Sequence, residues 1–200
     1  MPADPLALLL GYDGAVVEPG SDALSVAPDI LEVPFWTSDM CDEVIRAAEH
    51  TGHFEPHPDD PVPGHEVSLA TISPVLFSHV EQHIGSRIWP LLLHHWPLIE
   101  YRGLRDAFVI RYRAGEQTSL RLHNDIAQVS GTVRLSEDYV GADLHFPRQQ
   151  WDNAHQPVGS ALFWPSLVTH PHEVTPLVSG TKYGLTIWCD LPSDLSETFA

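Results

Sequence analysis

Positive charge is scarce in this chain: 10 Lys and Arg stand against 27 Asp and Glu, a formal net charge of −17 over 200 residues. Such a surface repels the phosphates of nucleic acids and anionic membranes, so neither is an expected partner, and the acidity speaks to solubility before function. Cysteine is scarcer still. Cys41 and Cys189 supply no CxxC pair and no disulfide framework, so they read as packing residues, one in a helix and one in a strand, in a reducing cytoplasm. No stretch approaches the roughly 20 apolar residues of a membrane span. The start, Met1-Pro2-Ala3-Asp4, lacks the basic residues of a signal peptide, and the apolar run Leu6 to Leu10 is too short for its hydrophobic region.

What is present is enough for one core. With 43% hydrophobic residues the chain is expected to fold as a single domain over 1–200. Histidine is abundant, 13 residues in all, but one metal site uses two or three, so most must be structural or exposed.

No internal repeat or low-complexity run occurs, and the proline-rich stretch Pro56 to Gly64 reads as an irregular loop between two helical patterns. With His57 and His65 it is a plain surface loop or part of a substrate lid. In the first helix Thr37 or Ser38 is the cap, Met40, Cys41, Val44, Ile45 and Ala48 form the apolar stripe, and Gly52 closes it. A second starts near Pro74 and carries Phe77, Val80, Ile84 and Ile88 until Pro90 kinks or ends it. His79, His83, His94 and His95 along it lack the third ligand of a zincin-like motif and read as exposed or capping.

From Ala107 onward short β-type runs follow one another: Phe108 to Tyr112, Gln128 to Leu135, Asp143 to Phe146, Ser160 to Trp164, His172 to Val174 and Lys182 to Asp190. Their spacing suggests a double-sheet jelly roll or barrel. The expected class is therefore α+β, mainly β, with N-terminal helices packed outside the major sheet. Residues 1–106 would be a helical supporting region, 107–190 the core and 191–200 a tail. Met1 to Ala27 would add an edge strand through Leu6 to Leu10 or stay loose.

His123 and Asp125 are one residue apart, which in an extended segment points both side chains to one face. A second histidine would complete the two-histidine, one-carboxylate arrangement that leaves three positions open on an octahedral ion. Downstream, His170-Pro-His172 offers two histidines, and Lys182 follows on a strand that otherwise reads as core. A buried lysine is costly unless it meets an anion, and a dicarboxylate would be one.

Three ordered blocks carry a more specific signal: FVIRYRAGEQTSLRLHND from Phe108 to Asp125, DYVGADLHF from Asp138 to Phe146, and THPHEVTPLVSGTKYGLTIW from Thr169 to Trp188. Together with the weaker PFWTSDMCDEVIRAAEHTGHF, they resemble the catalytic domain of procollagen lysyl hydroxylases and, more distantly, prolyl 4-hydroxylases. These are iron(II) and 2-oxoglutarate dioxygenases with a double-stranded β-helix core. The resemblance implies that His123, Asp125 and His172 hold Fe(II) and that Lys182 pairs with the distal carboxylate of 2-oxoglutarate. The lysyl enzymes use arginine there and the collagen prolyl enzymes lysine. Tyr112 and Thr132 fall where lysyl hydroxylases contact the co-substrate, although the family carries asparagine in place of Thr132. Trp188 shares a strand face with Lys182, as a family aromatic or as a plain core residue. His172 lies ten residues before Lys182, the family interval, which leaves His170 as a neighbouring or substrate-facing group.

The implied reaction is O2-dependent hydroxylation of an unactivated C–H bond, with 2-oxoglutarate converted to succinate and CO2. Asp125 favours hydroxylation over halogenation, because related halogenases lack that carboxylate. An amino-acid-type substrate is expected, a free amino acid or small derivative ahead of peptidyl lysine or proline, since no accessory domain for a long peptide is seen. A metal- or 2-oxoglutarate-binding jelly-roll sensor and a zinc hydrolase are the competing readings, and oligomeric state is not legible.

Overall fold

The computed structural model describes residues 12–18, 20, 23–52, 54–56 and 62–192. The expected Leu6 to Leu10 strand, residues 57–61 of the proline-rich loop with His57, and the tail beyond residue 192 lie outside them. The first half forms α1 (Tyr12–Ala15), β1 (Leu24–Ala27), β2 (Ile30–Pro34), α2 (Ser38–Thr51), β3 (Glu66–Ser68), α3 (Leu69–Ile72), α4 (Pro74–His83), a π-helical turn (Ile84–Ile88) and α5 (Trp89–His95). The second half is strand throughout: β4 (Leu104–Arg113), β5 (Leu120–His123), β6 (Val129–Arg134), β7 (Tyr139–Gly141), β8 (Leu144–Phe146), β9 (Trp151–Asp152), β10 (Ser160–Pro165), β11 (His172–Val174) and β12 (Leu177–Cys189).

The strands pair antiparallel in two sheets. The major one runs β1-β2-β10-β6-β12-β4-β3 with β7 attached to β12, and the minor one runs β5-β11-β8-β9. Period-2 alternation along the major sheet sorts its side chains between two cores. Val109, Val133, Phe163, Leu185 and Ile187 pack with Met40, Val44, Ala48, Leu76, Val80 and Ile84 of the helices. Phe108, Ile110, Tyr112, Leu162 and Trp164 face the minor sheet and meet Leu144, Phe146 and Val174. Each such fully buried aliphatic or aromatic side chain stabilises by about 1.5–3 kcal/mol, so both layers are held by burial. The helices therefore lie outside the major sheet, as expected, and the space between the sheets is left for a site.

Local chemistry explains the helices. Thr37 caps α2, its hydroxyl accepting from the Met40 N–H at 3.4 Å, and Gly52 ends it at φ 70 with its N–H on the Glu49 carbonyl. Ser73 caps α4 by accepting from the Leu76 N–H, with Pro74 in the first turn. Pro90 does not end the second helical pattern. The helix widens just before it, the Trp89 N–H reaching back five residues to the Ile84 carbonyl, and α5 continues beyond. Proline lacks an N–H and crowds the carbonyl four residues back, so a widened turn is the way for the helix to pass it.

Two other expectations are corrected. The first 106 residues are not only helical, since β1, β2 and β3 come from them and extend the major sheet on both sides. β2 buries Ile30, Leu31 and Val33 but leaves Glu32 half-buried and Pro34 exposed, and five residues are too few for that pattern to stand out in the sequence. Ser179 and Gly180, which as a Ser-Gly pair read from the sequence as a turn before the lysine strand, are instead part of β12. Gly180 sits at φ 83 where the strand passes β7, and a Cβ there would collide with the Asp138 carbonyl.

His83 is buried, not exposed or capping; it stacks on Phe35 with ring centroids 4.7 Å apart and lies beside the Tyr12 hydroxyl. Burial lowers its pKa from 6.5 to about 4. Between those values the unfolded chain binds a proton that the folded chain refuses, so stability is full above about pH 6.5 and falls as pH drops toward 4. The expected loss is at most about 3 kcal/mol. Urea unfolding at pH 7.5 and pH 5 should show a smaller acid loss for His83→Leu than for the wild type; equal losses would refute the assignment.

Candidate metal centre

β5 ends on His123 and β11 begins on His172, and the register of the two strands makes these residues direct cross-strand partners. Their ring centroids are 4.5 Å apart. Asp125, two residues beyond β5 and 5% exposed, turns its carboxylate between them. Its Oδ1 lies 3.4 Å from His123 Nε2 and its Oδ2 3.5 Å from His172 Nε2. Both Nδ1 atoms face backbone carbonyls, His123 that of Arg121 at 2.7 Å and His172 that of His170 at 3.0 Å. A carbonyl only accepts, so each ring carries its proton on Nδ1 and presents an Nε2 lone pair to the centre. Among the described residues this is the one group of three His, Cys, Asp or Glu side chains compact enough for a single ion, its ligand atoms lying within 4.8 Å of one another.

The electrostatics suit a cation. Burial opposes charge on Asp125, but His172, His123 and the Ser130 hydroxyl outweigh it and hold the carboxyl below its usual range. Burial pushes the His172 pKa down, keeping that ring neutral. At His123 burial is overcome by Asp125, and its pKa rises. A bound divalent ion would replace the protons that this carboxylate otherwise attracts to its neighbours.

The three residues line a cavity of about 440 Å³ between the sheets, within the range typical of small-molecule sites. Lys182, Tyr112, Thr132 and Trp188, singled out from the sequence, line it too. Lys182 and Tyr112 are register partners on β12 and β4, and the lysine is 7% exposed. Its Nζ donates to the Ala142 carbonyl at 2.6 Å and lies 5.5 Å from the Tyr112 ring centre. Among the described residues no carboxylate comes within ion-pairing distance of it, and burial brings its pKa down from 10.5 to about 8. Trp188 sits edge-on to Phe108 at the far end of the same strand face.

His170 is placed differently from the expectation. It precedes β11 instead of sharing its face, and its Nε2–H donates to the Pro28 carbonyl at 3.1 Å while Nδ1 lies 2.9 Å from the Thr169 hydroxyl. Both ring nitrogens are thus engaged away from the centre, and His170 does not line the cavity. Of the proline-rich loop, Val62 and Gly64 reach the cavity wall; His65 instead sits 3.8 Å from Glu116. The sequence reading missed Glu66, Arg105, Asp106, Ser130 and Trp164. Ser130 was within reach of it, because two residues before Thr132 on a strand means the same face. Glu66 and Asp106 were not, since β3 and the start of β4 gave no alternation strong enough to assign a face.

No family model matches the chain. Among curated relatives, rat procollagen-lysine,2-oxoglutarate 5-dioxygenase 1 is 32% identical over 171 residues, which cover 78% of this chain and 23% of the relative. The human multifunctional procollagen lysine hydroxylase and glycosyltransferase LH3 is 31% identical over 178 residues, 82% of this chain and 24% of the relative. The chain thus spans about a quarter of the length of these relatives. In fold it is similar to a Pseudomonas putida prolyl-4-hydroxylase, with TM-score 0.59 and 15% identity over 95% of this chain and all of that one. The viral collagen prolyl hydroxylase of Paramecium bursaria Chlorella virus-1, solved as a 2-oxoglutarate complex, gives TM-score 0.57 and 18% identity over 84% of this chain and 100% of that one. By sequence kinship, with a fold to match, the chain belongs to the iron(II) and 2-oxoglutarate dioxygenase superfamily.

Proposed function

We propose that the chain is a hydroxylase of that superfamily, acting on an amino-acid-type substrate. The observation that carries it is one cavity holding both a two-histidine, one-carboxylate cluster and a buried lysine with no carboxylate partner among the described residues. His123, Asp125 and His172 fit Fe(II) as donors, two neutral imidazoles and an ionised carboxylate on one side, and would hold it. Lys182 fits the distal carboxylate of 2-oxoglutarate, because a buried ammonium becomes favourable once an anion pairs with it. Tyr112 and Thr132 flank that position, and the apolar wall of Phe108, Ile110, Leu120, Leu144 and Val174 excludes water from it. Iron(II) with 2-oxoglutarate and O2 supplies oxidation of a C–H bond, releasing succinate and CO2.

The protein's own part is to orient the substrate. Arg105, Glu66 and Asp106 bring both signs of charge to the cavity wall. That suits the ammonium and carboxylate of a free amino acid or small derivative, which we place ahead of peptidyl lysine or proline. A zinc hydrolase would leave Lys182 without a role, and a sensor would bind without turnover.

Anaerobic addition of Fe(II) and then 2-oxoglutarate should produce a visible charge-transfer band, and air should then release succinate with a responsive amino acid. A protein that develops no band is not a dioxygenase. A band with no succinate from any amino acid or short peptide would make it the sensor.

A further inference from the structure

We propose that Arg105 and Asp106 form a clamp for an amino acid whose α-carboxylate and α-ammonium are both unblocked. The inference rests on the function proposed above and deepens it, from an amino-acid-type substrate to a free one gripped by its head group. Consecutive residues of a strand point to opposite faces, so two neighbouring charges do not ordinarily meet one ligand. Along β4 the alternation holds for Asp106, Phe108, Ile110 and Tyr112, all of which line the cavity, and it would turn Arg105 away. A bulge prevents that. Trp188 and Cys189 are consecutive on β12, yet they pair with Asp106 and Leu104, so Arg105 is the extra residue and joins Asp106 at the cavity wall.

Local bonds hold the two charges apart. Arg105 Nη1 donates to the Ile126 carbonyl at 3.0 Å, one residue beyond Asp125 of the metal centre. Asp106 Oδ1 accepts from the Ala107 N–H at 2.7 Å and from the Ser68 hydroxyl at 3.3 Å, which leaves Oδ2 open. Neither charge closes an ion pair, with the other or with any further described residue. A ligand carrying both charges can therefore bridge them without first breaking a salt bridge, on groups already in place. Burial raises the pKa of Asp106, and an ammonium bound beside it would offset that cost. Lys182 does not compete for the same ligand, because its register partner Tyr112 lies six residues along β4 from Asp106, about 20 Å by strand rise. A residue inside a peptide carries neither head-group charge, so the clamp selects the free amino acid over peptidyl lysine or proline.

The test is calorimetric binding of the standard L-amino acids to the anaerobic protein loaded with Fe(II) and 2-oxoglutarate, each compared with its Nα-acetyl and its C-terminal amide derivative. At least one free amino acid should bind, and either blocked form of it should bind roughly 10–100-fold more weakly, the scale of losing one charged hydrogen-bonded contact. Asp106→Asn should erase the preference for the free over the Nα-acetyl form, and Arg105→Met that for the free over the amide form. A merely structural role would weaken all forms alike and leave these ratios unchanged. Where Arg105→Met disturbs the metal loop through Ile126, Asp106→Asn and the blocked ligands decide. The clamp is overturned if no free amino acid binds, if a blocked form binds within about threefold of the free one, or if Asp106→Asn keeps the wild-type ratio. Absence of the charge-transfer band would sink the dioxygenase reading and the clamp with it, whereas a normal band with unselective binding sinks the clamp alone.

Discussion

Lys182→Met should weaken 2-oxoglutarate binding by roughly 100-fold or more, and yet make the ligand-free protein more stable, by about 2 kcal/mol at pH 7. The two effects have one cause. Burial lowers the folded-state pKa of Lys182 from 10.5 to about 8, so below pH 8 the fold carries a charge it disfavours. The unfolded chain keeps its proton up to about pH 10.5, and between these values it binds more protons than the folded one, so stability contributed through this group rises with pH across that window. At pH 7 the cost approaches 2.5 pKa units, about 3 kcal/mol, partly offset by the hydrogen bond to Ala142. Methionine keeps much of the stem's volume and removes the charge. Binding of a dicarboxylate reverses the balance, because the charge then has a partner. Wild-type affinity for 2-oxoglutarate should accordingly fall above about pH 8, where the amine deprotonates before the ligand arrives. Calorimetric titration and urea unfolding with and without 2-oxoglutarate check both halves. A methionine variant that binds 2-oxoglutarate within tenfold of wild type would remove Lys182 from the site.

His172→Ala should abolish Fe(II) binding and lower turnover by roughly 1,000-fold or more, on the scale of losing an essential active-site group. His170→Ala should leave metal affinity near wild type and destabilise the fold by about 1–3 kcal/mol, since a buried ring and its hydrogen bond to the Pro28 carbonyl are lost. The contrast follows from the rings. His172 Nε2 faces Asp125 at 3.5 Å, whereas His170 Nε2 is spent on the backbone of the β1–β2 turn. Metal titration of the two variants, with unfolding curves, separates them. Loss of iron from His170→Ala with retention by His172→Ala would reverse the assignment.

Much of the site was legible before any coordinates, for reasons specific to certain residues. His123 and Asp125 belong together because a one-residue gap in extended backbone leaves one face in common. Lys182, Gly184, Thr186 and Trp188 share the cavity because the period-2 rule holds along β12 even past the glycine at 180. The caps Thr37 and Gly52 were readable because capping is decided within four residues. What failed did so over longer range. His83 looked like a surface histidine on a helix until Phe35, 48 positions earlier in the chain, covered it. β2 went unread because it is short and its partner β10 lies far along the chain.

The sequence by itself determined the superfamily, the mainly β class and the residue types of a site for iron and a dicarboxylate, all of which depend on spacing within a strand or on blocks of kinship. The tertiary structure decided which of two histidines completes the cluster, because only the β5–β11 register sets His172 opposite His123. It also decided that Glu66, Asp106 and Trp164 line the same cavity. They come from segments far apart in the chain, and antiparallel pairing across the major sheet is the physical agent that gathers them.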